Sequence, residues 1–179
     1  MARGKLENVL GGLKYDDGKV SNYYVEAAVR DLTINDSTFT SGVSGFDLRV
    51  SANDEGGVVD ATQNQGIILR SNRWLVRPIE IQKIAGKIRW ARADGGFSLS
   101  TESLDIRAET IDFSTRGEFL WAASSGPHVK LTSRINSGEV ANFHLLVPKN
   151  SLRPRGENWL RSAFRSGLFK PSTFILHGN

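Results

Sequence analysis

The chain has 179 residues and a formal net charge of +4, with 39% hydrophobic and 23% charged residues. These values fit one folded domain and exclude a disordered segment, whose apolar content would be too low to offset the loss of chain entropy on folding. The absence of cysteine excludes disulfides, thiolate metal sites and a cysteine nucleophile.

Apolar residues recur with a period of two from Leu6 to about Ile135, which predicts β-strands. The alternation of Tyr23 to Val29 resumes at Leu32 on the other parity, which indicates a β-bulge. Turn signals such as Asp16-Asp17-Gly18 and Asn53-Asp54-Glu55-Gly56-Gly57 separate the runs. We predict eight to eleven strands, joined mostly by hairpins.

Three strand segments contain a glycine followed by alternating apolar residues, at Gly45, Gly86 and Gly117. Their uneven spacing argues against a stacked solenoid of equivalent repeats. Glycine inside a strand is typical of a bend or of close backbone approach. We therefore expect one continuous sheet that bends.

Between Gly86 and Trp121 the alternation assigns apolar and polar side chains to opposite faces of this sheet. The apolar face receives Ile88, Trp90, Phe97, Leu99, Leu104, Ile106, Ile111, Phe113, Phe119 and Trp121. The polar face receives Lys87, Arg89, Ser98, Ser100, Asp105, Arg107, Asp112 and Glu118. By alternation alone, such an apolar face is more typical of the closed core of a β-sandwich than of an open surface.

The last quarter of the chain changes to helical spacing. The apolar residues with this spacing are Val140, Phe143 and Val147, before Pro148, and then Trp159, Leu160, Ala163 and Phe164. They predict two short helices, over 138–147 and 155–166, with the second set buried on its apolar stripe. Phe174 and Leu176 predict a returning strand. We expect one β-rich domain over 1–179, with strands in 1–136, a helical region in 137–167 and the returning strand in 168–179.

Most of the excess positive charge lies between Lys149 and Lys170. This segment supplies candidates for binding anionic headgroups, and a solvated helix face is the alternative. The candidates are Arg153, Arg155, Arg161 and Arg165. Because Trp159 and Phe164 fall on the stripe predicted to be buried, we expect no nucleic-acid binding.

Motifs of catalysis and metal binding are missing. His128, His144 and His177 lie in unrelated contexts without ligand spacing, so we expect no metal site. We find no carboxylate pair with a reason for a shifted pKa, no nucleophile elbow and no phosphate-binding glycine loop. We therefore expect no enzymatic activity and no cofactor.

A set of ordered motifs in the second half carries a resemblance. The set is Pro78 to Trp90, Gly96 to Ser100, Leu104 with Ile106, Gly138 to Phe143, Leu146-Val147-Pro148 and Trp159 to Gly167. It resembles the conserved region of YhdP-type proteins, which belong to the AsmA-like group of Gram-negative envelope proteins. The resemblance covers roughly Gly4 to Asn179.

The resemblance implies a segment of a longer periplasmic protein, with an inner-membrane anchor outside this chain. It favours a curved antiparallel sheet, shaped as a U-shaped groove or open half-barrel, with two short helices near the C-terminus. The implied function is phospholipid transport between the inner and outer membranes, or outer-membrane homeostasis.

The ten apolar-face residues then become candidates for lining the groove and contacting acyl chains. Other envelope proteins are further expected partners. The alternative is a non-enzymatic structural or adaptor β domain with a closed core that binds another envelope protein.

Overall fold

The computed structural model describes residues 2–36, 41–64, 66–71, 75–93, 95–145 and 153–178. Within these ranges the chain forms ten β-strands, one 3₁₀-helix (Val140–Leu145) and one α-helix, α1 (Pro154–Ala163). The strands are β1 (Ala2–Asp16), β2 (Lys19–Asp36), β3 (Ser41–Asn53), β4 (Gly56–Asp60), β5 (Ile67–Ser71), β6 (Ile79–Ala93), β7 (Gly96–Ala108), β8 (Ile111–Ala122), β9 (Gly126–Gly138) and β10 (Ser172–Gly178). The predicted mainly β class is confirmed, and the strand count lies within the predicted range.

All strands belong to one antiparallel sheet in the order β1-β2-β3-β4-β6-β7-β8-β9-β10. β4 and β5 both lie between β3 and β6 and pair with different parts of these two strands. They are therefore two parts of one interrupted strand. The sheet is curved, and in the part of the chain that the structure describes its edges, β1 and β10, do not meet.

Only one of the two predicted helices is an α-helix. The first predicted helix is replaced by the 3₁₀-helix, and its predicted end at Val147 and Pro148 lies outside the described residues. The Asn142 amide donates to Glu139 O at 3.1 Å, three residues back, as in a 3₁₀-helix. The segment begins later than predicted because Gly138 ends β9: Gly138 O accepts from the Phe169 amide at 2.8 Å, and the Val140 amide donates to Gly167 O at 3.0 Å. These groups at the start of the segment are bound to the chain that follows α1.

The second predicted helix is α1, which ends at Ala163 rather than at Ser166. Pro154 stands in its first turn, where a missing amide hydrogen is tolerated. At the other end, Phe164 leaves the helical conformation while its amide still donates to Leu160 O at 3.2 Å.

Bulges interrupt the strand pairing, and each one increases the local twist. The bulge expected after Val29 is present as a register shift between Val29 and Leu32. Asp31 within it has a φ of 49°, and its amide donates to Asp47 Oδ1 at 2.8 Å. Arg30 Nη1 contacts the other carboxylate oxygen of Asp47 at 3.1 Å. One aspartate on β3 therefore holds the bulge of β2.

Gly117 marks a place where two strands approach closely. Its φ is +155°, and a β-carbon there would collide with the backbone oxygen of Lys130 on β9 and lie 2.9 Å from Leu131 Cα. Gly86 lies on β6, which is separated from β8 by β7. It has a φ of +151° and approaches the backbone of β7 in the same way. β6 and β8 are not neighbours, yet some of their Cα atoms come within 8 Å of each other. The sheet therefore bends sharply across β7.

The core lies in the middle of one face of the sheet. Ala61, Ile67, Ile84 and Leu104 are buried together, and six further apolar residues pack around them: Val43, Phe46, Val59, Ile81, Ile88 and Ile106. Cross-strand neighbours on the opposite face, such as Lys87, Asp105 and Arg107, are exposed. Since one layer of strands can bury one face and expose the other only by curving, we identify the apolar face as the concave side.

Candidate functional site

Strand register places all ten apolar residues singled out by the alternation on the concave face. Directly opposed residues of antiparallel strands point to the same side of the sheet. Trp90 opposes Leu99, which opposes Phe119, and Phe97 opposes Trp121. Farther from the β6–β7 hairpin, Ile106 opposes Phe113 and Leu104 opposes Gly86. The remaining members, Ile88 and Ile111, share parity with Trp90 and Phe113 along their own strands.

Exposure divides these ten residues into two zones. Leu104 is 8% exposed and Ile111 is 7% exposed, so both belong to the sealed core. Phe97, Leu99 and Trp121 are 41%, 38% and 42% exposed, close to the β6–β7 and β8–β9 hairpins. We call the concave apolar face the trough. Its exposed zone, together with the half-buried Trp90 and Phe119, is the open end of the trough. A ligand can reach the open end, whereas Leu104 and Ile111 hold the fold.

Aromatic rings line the open end. The centroid of Phe97 lies 5.8 Å from that of Phe119 and 6.0 Å from that of Trp121, with tilted planes in both pairs. Such contacts orient the rings while leaving part of each surface uncovered. The open end is therefore a preformed apolar surface rather than a set of separate side chains.

The apolar face extends beyond the residues that the alternation identified as lining. Register carries it from Phe119 to Val129 on β9 and from Leu131 to Leu176 on β10. On the other side it reaches β1, where Leu13 opposes Tyr23. Exposed members outside the predicted set are Leu6, Leu13, Tyr23, Ile34, Leu69, Phe174 and Leu176. Alternation within β2 and β10 was visible in the sequence, but only the pairing shows that these strands share the face.

Hydroxyl groups interrupt the apolar face between its two zones. Thr115 Oγ1 and Ser133 Oγ lie 2.9 Å apart on β8 and β9. The Thr101 hydroxyl on β7 is buried and has no hydrogen-bond partner among the described residues. Deeper in the core, the buried Gln63 accepts from the Asp47 amide at 2.7 Å and donates to Gly45 O at 2.6 Å. The concave face is thus apolar but not uniform.

The opposite face carries charged side chains that form ion pairs. Arg89 lies 2.7 Å from Glu102, and Arg107 lies 3.2 Å from Asp112. The hydrogen bonds that Arg30 donates to Asp47, and secondarily to Glu7, raise the pKa of Arg30 above its ordinary value. Paired, solvated charges of this kind suit a face in contact with water.

The basic candidates lie on and beside α1 rather than on the sheet. Arg153, Arg155 and Arg165 are exposed, and the side chain of Arg161 lies outside the described part of the chain. The prediction that Trp159 is buried is wrong, since it is 62% exposed. On the predicted stripe Leu160 is buried and Phe164 half-buried, because this short helix touches its surroundings along a line narrower than its apolar stripe.

Two of the histidines are neighbours, which corrects the expectation of unrelated contexts. His128 on β9 and His177 on β10 meet edge to face, with ring centroids 5.3 Å apart. Their separation in sequence hid this contact, which arises because β10 returns to pair with β9. Among the described residues, no group of three or more potential ligands is placed to hold a metal ion. The side chain of His144 lies outside that part of the chain.

None of the helices in the described ranges has the length and apolar character needed to cross a membrane. Neither a curated protein nor a solved structure matches the chain. The model of the YhdP protein family matches residues 2–179, which is almost the whole chain. The strand-rich architecture agrees with the family that the motifs suggested. This chain therefore belongs to the YhdP protein family.

Proposed function

We propose that this chain is a section of a phospholipid-carrying envelope protein, and that its concave apolar face holds acyl chains. The observation that carries the proposal is a single apolar face shared by all the strands, with large residues left exposed along it. Membership in the YhdP family supports the same function, because the resemblance to AsmA-like envelope proteins implies a lipid-carrying groove.

Physical chemistry explains why such a face would suit a conduit. Moving an acyl chain into water costs about 0.8 kcal/mol per methylene. Across the nine successive strand positions, at about 4.8 Å each, the sheet spans about 38 Å of surface that can replace lipid neighbours. An acyl chain that leaves its lipid neighbours for this face would exchange one apolar contact for another. Its binding free energy relative to the lipid environment would therefore stay small along the path.

The open end is where we place contact between lipid and this section. Trp90, Phe97, Leu99, Phe119 and Trp121 combine apolar character with accessible surface. The other predicted lining residues are half-buried or buried and support the sealed part of the trough. We propose that their role in lipid binding is indirect.

The proposed setting is the periplasm, with the parent protein anchored in the inner membrane by a segment outside this chain. Carriage of a lipid breaks no bond, so the proposed role is non-catalytic. Other envelope proteins remain proposed partners, together with phospholipid acyl chains.

The proposal is tested by native mass spectrometry of the chain purified without denaturation. We expect added mass that matches phospholipids of the host membrane, and we expect a fluorescent fatty acid to bind and to displace them. A folded chain that carries no lipid and binds no fluorescent fatty acid contradicts direct lipid binding by this section.

A further inference from the structure

We propose that the exposed side of α1 docks on an anionic lipid bilayer, with Trp159 in the headgroup region and the neighbouring arginines on lipid phosphates. This surface is separate from the trough, and the inference does not rest on lipid being carried there.

The first observation is an exposed tryptophan that its own fold holds in place. Trp159 is 62% exposed, and its ring packs edge to face against Phe164 at 6.0 Å. Among the side chains of α1 that the structure describes, Leu160 is buried and Ala163 is exposed. Tryptophan is favoured at membrane–water interfaces, because its large ring is apolar while its indole N–H can stay hydrated.

The second observation is charge. Residues 153–178 contain five cations and one anion, Glu157, so this segment alone accounts for the net charge of +4. Arg153, Arg155, Arg165 and Lys170 are exposed, and no ion pair among the described residues involves them. The charges on the sheet, in contrast, include several that are paired across strands.

The third observation is the arrangement of these groups. Arg155 and Trp159 are four residues apart on α1, so they lie on the same side of the helix. Leu168, five residues after the end of α1, is 77% exposed and adds an exposed aliphatic side chain to this part of the chain. A tryptophan with aliphatic and basic neighbours fits a headgroup layer better than a nucleic acid, whose bases need stacking platforms rather than aliphatic surface.

The test is co-sedimentation of the purified chain with vesicles of phosphatidylcholine alone or of phosphatidylcholine mixed with phosphatidylglycerol. We expect binding only to the anionic vesicles, with weakening as salt is raised. Arg155→Glu should weaken binding at least about fivefold, since each basic residue near an anionic surface contributes about that factor. Trp159→Ala should weaken it several-fold and reduce the quenching of the protein's tryptophan fluorescence by brominated lipid at headgroup depth.

Arg134→Glu is the matched control, because it makes the same charge change at an exposed position on β9. Circular dichroism checks that each variant is folded. Equal binding to both kinds of vesicle overturns the proposal, and so does equal weakening by Arg134→Glu and Arg155→Glu. Oligonucleotide binding that is tighter than vesicle binding and is lost in the α1 variants also overturns it, in favour of a nucleic-acid partner.

Leu99→Asp separates this proposal from the function proposed for the trough. It should keep vesicle docking while losing lipid from the open end. Failure of docking with lipid still carried in the trough therefore refutes only the role of α1.

Discussion

Replacing Leu99 by aspartate should remove lipid binding at the open end without unfolding the protein. Leu99 is 38% exposed, so about three-fifths of the side chain is already packed. Losing that packing costs about 1–2 kcal/mol of folding free energy, which a domain of ordinary stability can tolerate. Because the position is not fully buried, the carboxylate can remain hydrated when no lipid is present.

The effect on lipid binding should be larger than the effect on folding. Covering the exposed two-fifths of a leucine with an acyl chain contributes about 0.6–1.2 kcal/mol, which the variant loses. Covering a carboxylate in the same place adds a desolvation penalty of at least about 1–3 kcal/mol. Together these changes predict affinity weaker by about 2 kcal/mol or more, which is about thirtyfold or more.

Displacement of a fluorescent fatty acid measures this change, and urea unfolding measures the stability of the same sample. Ser98→Asp is the matched control, because it places the same charge one residue earlier on β7, on the opposite face. We expect the control to bind within about twofold of the unmodified chain. A folded Leu99→Asp variant that also binds within twofold would refute the trough assignment.

Three further predictions concern the scaffold. Gly117→Ala should lower the free energy of unfolding by about 2–4 kcal/mol, because the added β-carbon collides with the backbone of β9 at a residue already strained by its positive φ. Gly18→Ala, in an open turn, should lower it by only about 1 kcal/mol. Equal urea midpoints for the two variants would contradict the close approach of β8 and β9. Gln63→Leu should cost about 2–4 kcal/mol in the same measurement, since it leaves the part-buried amide of Asp47 and carbonyl of Gly45 without the side chain that binds them. A loss below about 0.5 kcal/mol would show that water replaces the side chain. Ile175→Lys should reduce concentration-dependent association in light scattering, because Ile175 is exposed on the unprotected edge strand β10; unchanged association would place the contact elsewhere.

The division into an apolar and a polar face was readable from the sequence, because a strand's side chains alternate whatever its partners are. Bulge positions were also readable, since the parity change after Val29 leaves a trace in the order of residues. The start of the first predicted helix was not readable, because Gly138 and Val140 make backbone hydrogen bonds with Phe169 and Gly167, which follow α1. The exposure of Trp159 was hidden for a related reason, since helical spacing defines a stripe but not how much of that stripe finds a partner.

By itself, the sequence determined the strand-rich class, the two faces of the sheet and, through its ordered motifs, membership in the YhdP family. Tertiary structure alone decided which apolar residues are sealed and which remain open. Leu99 and Leu104 belong to the same strand and face the same side, yet one is 38% exposed and the other 8%. The difference arises from how the curved sheet brings distant strands over one position and leaves another uncovered, which the local pattern along a strand does not encode.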